Sequence, residues 1–242
     1  MFSRETDYPT AVASYDDGGV GAAIKWCLSH MQQGEHLSVW TSLKSNLENC
    51  EALEELVTQY SDVDHIVERG GGMVRHRGPV LMAWADMDDI GKLVRFGSKH
   101  ITALCVIAYD EDRLRPWVES TNATVLGNRT AWTGKTPSLD PLLEEALKSM
   151  TSAVNHNNTV LAGFEKDTVV SILLALHDGG IWMQAEPIQA WALAHGWSGD
   201  NPKHLAKYVD DINSGKRPRT RRHIPLGYLD RLRERISEAP QD

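Results

Sequence analysis

Two almost uninterrupted apolar runs, at residues 79–85 and 101–109, constrain the fold of this chain more than any other feature. A strand that is apolar at nearly every position has to be covered on both faces, as central strands of a parallel sheet are. Shorter apolar runs alternate with amphipathic stretches around them, and this alternation is typical of α/β folds. The predicted strands span residues 10–15, 36–41, 65–68, 79–85, 101–109 and 123–126.

A turn-rich segment at residues 127–141 separates this part from the rest of the chain. Beyond it the spacing of apolar residues becomes helical. We therefore predict an α/β domain over residues 1–130, with a mostly parallel sheet and flanking helices, and a helical domain over residues 131–242. The predicted helices of the second domain span residues 139–155, 165–177, 186–195, 202–213 and 226–237.

Charge is distributed unevenly along the chain, although the formal net charge is -8. From residue 201 onward, ten Lys or Arg stand against six Asp or Glu, so this part is basic and the remainder is strongly acidic. Such an asymmetry favours an anionic partner such as nucleic acid, or a basic tail that folds back on its own acidic body.

Several classes of protein are disfavoured by simple patterns. No apolar run reaches the roughly 20 residues that cross a bilayer, and the first residues lack the basic start and apolar core of a secretory signal. We expect a cytoplasmic protein with no membrane partner. The three cysteines and ten histidines show none of the short-range pairing of zinc motifs, so neither a metal site nor a cofactor is predicted from spacing.

The most specific pattern lies between residues 165 and 222. An apolar helix is followed by a short run at residues 181–183, predicted as a strand, and by a second helix that ends at Gly196. A third helix has Pro202 in its first turn. An extended basic segment, predicted as a strand or hairpin, then carries Lys216, Arg217, Arg219, Arg221 and Arg222.

This order of elements resembles winged helix-turn-helix domains, which usually bind DNA. The resemblance implies that the helix at residues 202–213 enters the major groove and presents Lys203, His204 and Lys207 to the bases. It also implies that the arginines of the basic segment, as the wing, contact phosphates. On this resemblance the second domain is winged-helix-like, and the protein is a nucleic-acid-binding protein whose α/β domain binds a ligand or another protein.

Acidic residues follow the two most apolar strands and support an alternative. Asp86 and Asp88 come directly after the first, and Asp110 and Asp112 after the second. If the strands are parallel neighbours, these carboxylates could converge and hold Mg²⁺ for phosphoryl transfer or nuclease chemistry. The competing interpretation is that Asp86 and Asp110 cap the helices that follow.

Two further features carry expectations of their own. A glycine-rich loop joins two strands and contains Arg69, Arg75 and Arg77, which could contact phosphate or could simply be solvated. The last helix is apolar at Leu226, Leu229, Leu232 and Ile236. That stripe predicts a homodimer or partner surface, so a non-catalytic interaction module is the third interpretation of the chain.

Overall fold

The computed structural model describes residues 7–68, 73–97, 99–134, 136, 138–155 and 158–238. The chain divides into two compact units, which we call the N-terminal unit (residues 1–136) and the C-terminal unit (residues 137–242).

A six-stranded, all-parallel sheet forms the N-terminal unit, which confirms the predicted α/β fold. The strand order is β3-β2-β4-β5-β1-β6. The two apolar runs become β4 and β5, which pair with each other in the middle of the sheet and are buried along almost their whole length. In chain order the strands are β1 Thr10–Ser14, β2 Leu37–Thr41, β3 Val63–Val67, β4 Gly78–Ala83, β5 Ile101–Ala108 and β6 Thr124–Leu126.

Helices connect most of these strands, as expected for parallel pairing. The α-helices that accompany the sheet are α1 Asp17–His30, α2 Glu51–Gln59, α3 Met87–Gly97 and α4 Glu111–Thr121. The core between sheet and helices includes Cys27 and Cys105, both buried free thiols. At the end of the unit, Trp132 is buried and its Nε1 donates to Ser14 Oγ at 3.1 Å, so this part of the turn-rich segment packs on the sheet.

The connection from β1 to α1 is unusually tight. The Asp16 side chain caps the helix by accepting from the Gly19 amide. A Cβ atom at Gly19 would lie 2.1 Å from the carbonyl oxygen of Ser14, so only glycine allows the helix to start this close to the strand. Glycine here therefore serves the close packing of two backbone segments.

The C-terminal unit is helical, as predicted. Its helices are α5 Pro141–Ala153, α6 Gly163–Asp178, α7 Ala185–Ala194, α8 Asn201–Asn213 and α9 Tyr228–Glu238. Their apolar faces share one core, in which Trp197 and Leu232 are fully buried. None of the helices in the described part of the chain is both long and apolar enough to span a membrane.

Two predicted elements of this unit are wrong. Residues 181–183 form no strand, and the basic segment at residues 216–222 forms neither a strand nor a hairpin. A strand needs a neighbour for its backbone hydrogen bonds, and the basic segment instead contacts α6, where Thr220 Oγ1 donates to the carbonyl oxygen of Asp167 at 3.1 Å. The irregular segment at residues 181–184 leaves Trp182 exposed and Met183 buried.

Candidate functional site

Helices α7 and α8 meet at the turn that the sequence indicated. Gly196 has a φ of 80°, and the amide of Trp197 donates to the carbonyl oxygen of Ala192 at 3.0 Å, which closes the end of α7. The Trp197 side chain fills the space between the helices, and its Nε1 donates to Thr151 Oγ1 at 2.8 Å. The turn therefore holds α8 at a defined angle against α6 and α7.

The exposed face of α8 carries both signs of charge. Lys203 and Lys207 are exposed and His204 is half-buried, but Asp210 is exposed on the same helix. Lys207 Nζ also binds Asp211 Oδ2 at 2.9 Å. The positive charges of the lysines of α8 are equal in number to the negative charges of its aspartates. This helix by itself therefore adds little attraction for phosphate.

The first turn of α8 makes hydrogen bonds with the segment that precedes α6. Asn201 is buried, and its side chain accepts from the Val160 amide at 3.1 Å and donates to the Asn158 carbonyl at 2.9 Å. Tyr208 adds a hydrogen bond from its hydroxyl to the carbonyl oxygen of Val160 at 3.0 Å. These bonds anchor the first half of α8 to the segment that precedes α6.

Three cations of the basic segment have partners within their own unit. Arg217 makes a two-pronged contact with Asp178 at 2.9 and 2.6 Å, and this pairing lowers the pKa of Asp178 to about 2. Lys216 Nζ binds Asp211 Oδ1 at 2.7 Å. Arg222 donates to Thr168 Oγ1 at 2.7 Å and lies 5.0 Å above the Phe164 ring. These three side chains hold the basic segment against α6 and α8.

Arg219 and Arg221 differ from these three. Both are exposed, and neither makes a side-chain hydrogen bond or ion pair with any residue that the structure describes. They line a cleft of about 640 Å³ together with Lys166 of α6. We call this the basic cleft; Leu161, Ala162, Gly163, Asp167 and Thr220 complete its walls.

The basic cleft borders the start of α6, which has no side-chain cap. Ala162 occupies the capping position and has no side-chain oxygen to accept from the first amides of the helix. Uncapped amides and the helix dipole place partial positive charge at this end. Asp167 adds one carboxylate, so three cationic side chains and a helix start face one anion in the same cleft. Sequence reasoning missed Lys166, because nothing in its local pattern distinguishes it from an ordinary exposed helical lysine.

The predicted acidic clusters lie at the starts of helices. Asp86 Oδ1 accepts from the Asp89 amide at 3.0 Å, and Asp89 Oδ2 accepts from the Asp86 amide at 3.3 Å, as in a reciprocal cap of α3.

Asp110 precedes α4 without a side-chain capping bond and pairs with Arg113 at 3.3 Å. Asp112 pairs with Arg115. Asp86, Asp88, Asp110 and Asp112 all lie in the described part of the chain, and no three of them place ligand atoms within 4.8 Å of one another.

Among the acidic residues at the starts of α3 and α4, Asp89 has the most strongly shifted pKa. Its pKa is raised to about 6, first by burial and second by the like charge of Asp86. A pKa above the value in the unfolded chain means that the folded state binds the proton more tightly. The contribution of Asp89 to the free energy of unfolding therefore falls as the pH rises from about 4 through 6. We predict that Asp89→Asn raises the free energy of unfolding by about 1–3 kcal/mol at pH 8 and changes it little at pH 4.

Urea denaturation of both proteins at pH 4 and pH 8 measures this difference, with the low-pH pair as the internal control. An equal change at both pH values would contradict the assignment of a raised pKa to Asp89.

The phosphate contact of the glycine-rich loop stays a prediction. Arg69 lies outside the described residues, and Arg75 is exposed. Arg77 Nε binds Glu35 Oε1 at 3.2 Å, so its charge is already partnered.

The predicted apolar stripe of the last helix is divided between the core and the surface of its own unit. Within α9, Leu232 is buried and Leu229 packs against the core of the C-terminal unit, whereas Ile236 is exposed; Leu226, also exposed, precedes α9. Two of the four apolar residues are therefore left for the partner surface that the stripe predicted.

Comparison with known proteins adds one match. A family model described as "Domain of unknown function (DUF1889)" matches residues 139–233, which covers most of the C-terminal unit, including Lys166, Arg219 and Arg221. No curated protein and no solved structure matches the chain.

Proposed function

We propose that the C-terminal unit binds nucleic acid through the phosphate backbone, and that the basic cleft is the contact surface. The observation that carries the proposal is the state of Arg219 and Arg221, which are exposed and lack a described ion-pair partner beside the uncapped start of α6. Of the predicted phosphate contacts of the basic segment, the proposal keeps Arg219 and Arg221, and it adds Lys166.

The chemistry of the cleft suits phosphate. Arginine presents a planar fork of donors that matches phosphate oxygens, and a helix start adds backbone amides and a favourable dipole. Phe164, in the first turn of α6, is 58% exposed and carries Arg222 over its ring. An exposed aromatic side chain beside phosphate-binding arginines is a feature of surfaces on which bases stack.

The proposed binding is mainly insensitive to sequence. In a winged helix-turn-helix domain α8 would read bases from the major groove, but here its two lysines share the helix with Asp210 and Asp211. Backbone contacts position a protein on nucleic acid without carrying sequence information. Lys203 and His204 are then expected to affect sequence preference only slightly.

The test is the salt dependence of affinity for a random duplex. We predict that Arg219→Gln combined with Arg221→Gln makes the slope of log affinity against log salt concentration shallower by roughly 1.8, since each lost phosphate contact contributes about 0.9 on duplex DNA. Fluorescence anisotropy at several salt concentrations gives the slope. The same titration with single-stranded DNA, with and without Mg²⁺, reports strand preference and any cleavage.

Arg231→Gln combined with Arg233→Gln is the matched control. It removes the same charge from exposed arginines of α9, outside the basic cleft, so its slope is expected to stay close to that of the wild type. Wild-type and Arg219/Arg221 slopes that agree within error would overturn the proposal. So would equal effects of the two double variants, because the cleft would then have no special role.

A further inference from the structure

Two histidines and one aspartate meet at the amino ends of three neighbouring strands. His36 directly precedes β2, Asp64 is the second residue of β3, and His76 lies two residues before β4. Asp64 Oδ2 lies 2.7 Å from His76 Nδ1 and 3.3 Å from His36 Nδ1. The two imidazole rings are 4.1 Å apart between centroids. Sequence spacing hides this group, since its members are far apart along the chain.

The order of the strands brings these three residues together. β2 lies between β3 and β4, so the residue before β2 is flanked by the starts of both neighbours. The His36 amide donates to the Arg77 carbonyl at 3.0 Å. A Cβ at Gly78 would lie 2.0 Å from the carbonyl oxygen of His36, so glycine is required for this close backbone approach. The backbone therefore brings His36 and His76 together independently of their side chains.

The three side chains are close enough to share a metal ion after a small shift. With metal–ligand bonds of about 2.1 Å, donors in a tetrahedral site lie roughly 3.4 Å apart. The Asp64–His36 distance is already close to this value, and the Asp64–His76 distance requires a shift of roughly 0.7 Å to reach the same spacing. One ligand atom from each of the three residues lies within 4.8 Å of the other two.

One of the donors also lacks a proper partner. His36 Nδ1 is shielded from solvent and makes no hydrogen bond of acceptable geometry with the described residues, despite the nearby carboxylate. A buried polar atom without a hydrogen bond is unfavourable. A metal ion between His36 and Asp64 would satisfy it.

We propose that His36 Nδ1, Asp64 and His76 Nδ1 bind one divalent transition-metal ion of the zinc type. Two imidazoles and one carboxylate favour such ions over Mg²⁺ and Ca²⁺, which prefer oxygen ligands. Three protein ligands leave a coordination position for water or another small ligand. The His76 side chain is 52% exposed, so the site is reachable from solvent.

The experiment titrates the chelator-treated protein with Zn²⁺ by calorimetry and with Co²⁺ by visible absorption. We expect one tight site per chain with the absorption of a tetrahedral or five-coordinate Co²⁺ centre, and no competition by excess Mg²⁺. His76→Gln and Asp64→Asn are each expected to weaken Zn²⁺ binding by at least about tenfold, the lower bound for losing even a supporting group of a metal site. His223→Gln, an exposed histidine in the C-terminal unit, is the control and should bind as the wild type does.

His76 lies in an exposed loop, so its replacement leaves the sheet intact, and circular dichroism checks this for each variant. Absence of a stoichiometric Zn²⁺ site in the wild type would overturn the proposal and leave a metal-free cluster in which Asp64 accepts from His76. Binding that His76→Gln and Asp64→Asn leave unchanged would overturn it equally, because the metal would then occupy other histidines.

Discussion

Replacing Trp197 with alanine is expected to lower the free energy of unfolding of the C-terminal unit by about 3–5 kcal/mol. The side chain is fully buried in the turn between α7 and α8. Its removal leaves a large cavity and also deprives Thr151 Oγ1 of the indole donor, which is 2.8 Å away. Because the same side chain sets the position of α8 against the other helices, we expect the whole unit to melt at a lower temperature.

Trp182→Ala is the matched control, since Trp182 is 72% exposed in the same unit. Differential scanning calorimetry of the three proteins should show a transition that moves strongly for Trp197→Ala and by little for Trp182→Ala. Similar shifts for the two variants would contradict the packing role assigned to Trp197.

Replacing Gly19 with alanine is expected to destabilise the N-terminal unit by about 3 kcal/mol, at the upper end of what overpacking usually costs. The added Cβ would lie 2.1 Å from the Ser14 carbonyl oxygen and 3.0 Å from Asp16 Oδ1. The first of these neighbours is backbone, so the clash is relieved only by moving α1 away from β1. Such a movement would also disturb the capping bond from the Gly19 amide to Asp16.

Gly21→Ala provides a control of opposite sign two residues away. Gly21 is an exposed position of α1, and a Cβ atom added there would have no neighbour within 4 Å. Alanine should therefore stabilise the unit by up to about 1 kcal/mol through helix propensity. Urea denaturation followed by circular dichroism compares the two variants. Equal and small effects would mean that α1 starts farther from β1 than the structure has it.

Much of the fold could be predicted because it depends on local pattern. Residues 79–85 and 101–109 indicated central parallel strands, and they became the buried pair β4 and β5. Gly196 marked the end of a helix, since a left-handed turn needs glycine, and its φ is 80°. The predicted strands at residues 181–183 and in the basic segment failed, because an apolar or extended run forms a strand only where another strand is available to pair with it.

The candidate sites depended on contacts between residues that are distant in the chain. The sequence indicated that residues 216–222 are cationic, but the tertiary structure established that Asp178 and Asp211 pair with Arg217 and Lys216. It also brought Arg219 and Arg221 into one cleft with Lys166.

For the two histidines and the aspartate at the amino ends of β2, β3 and β4, the sequence likewise indicated local position and the tertiary structure decided the contacts. Local pattern was enough to place His36, Asp64 and His76 near the starts of strands, since hydrophobic periodicity is a property that each segment carries alone. The meeting of these side chains came from the order of the strands, with β2 between β3 and β4. Strand order follows from how the whole core packs, and spacing along the chain does not encode it.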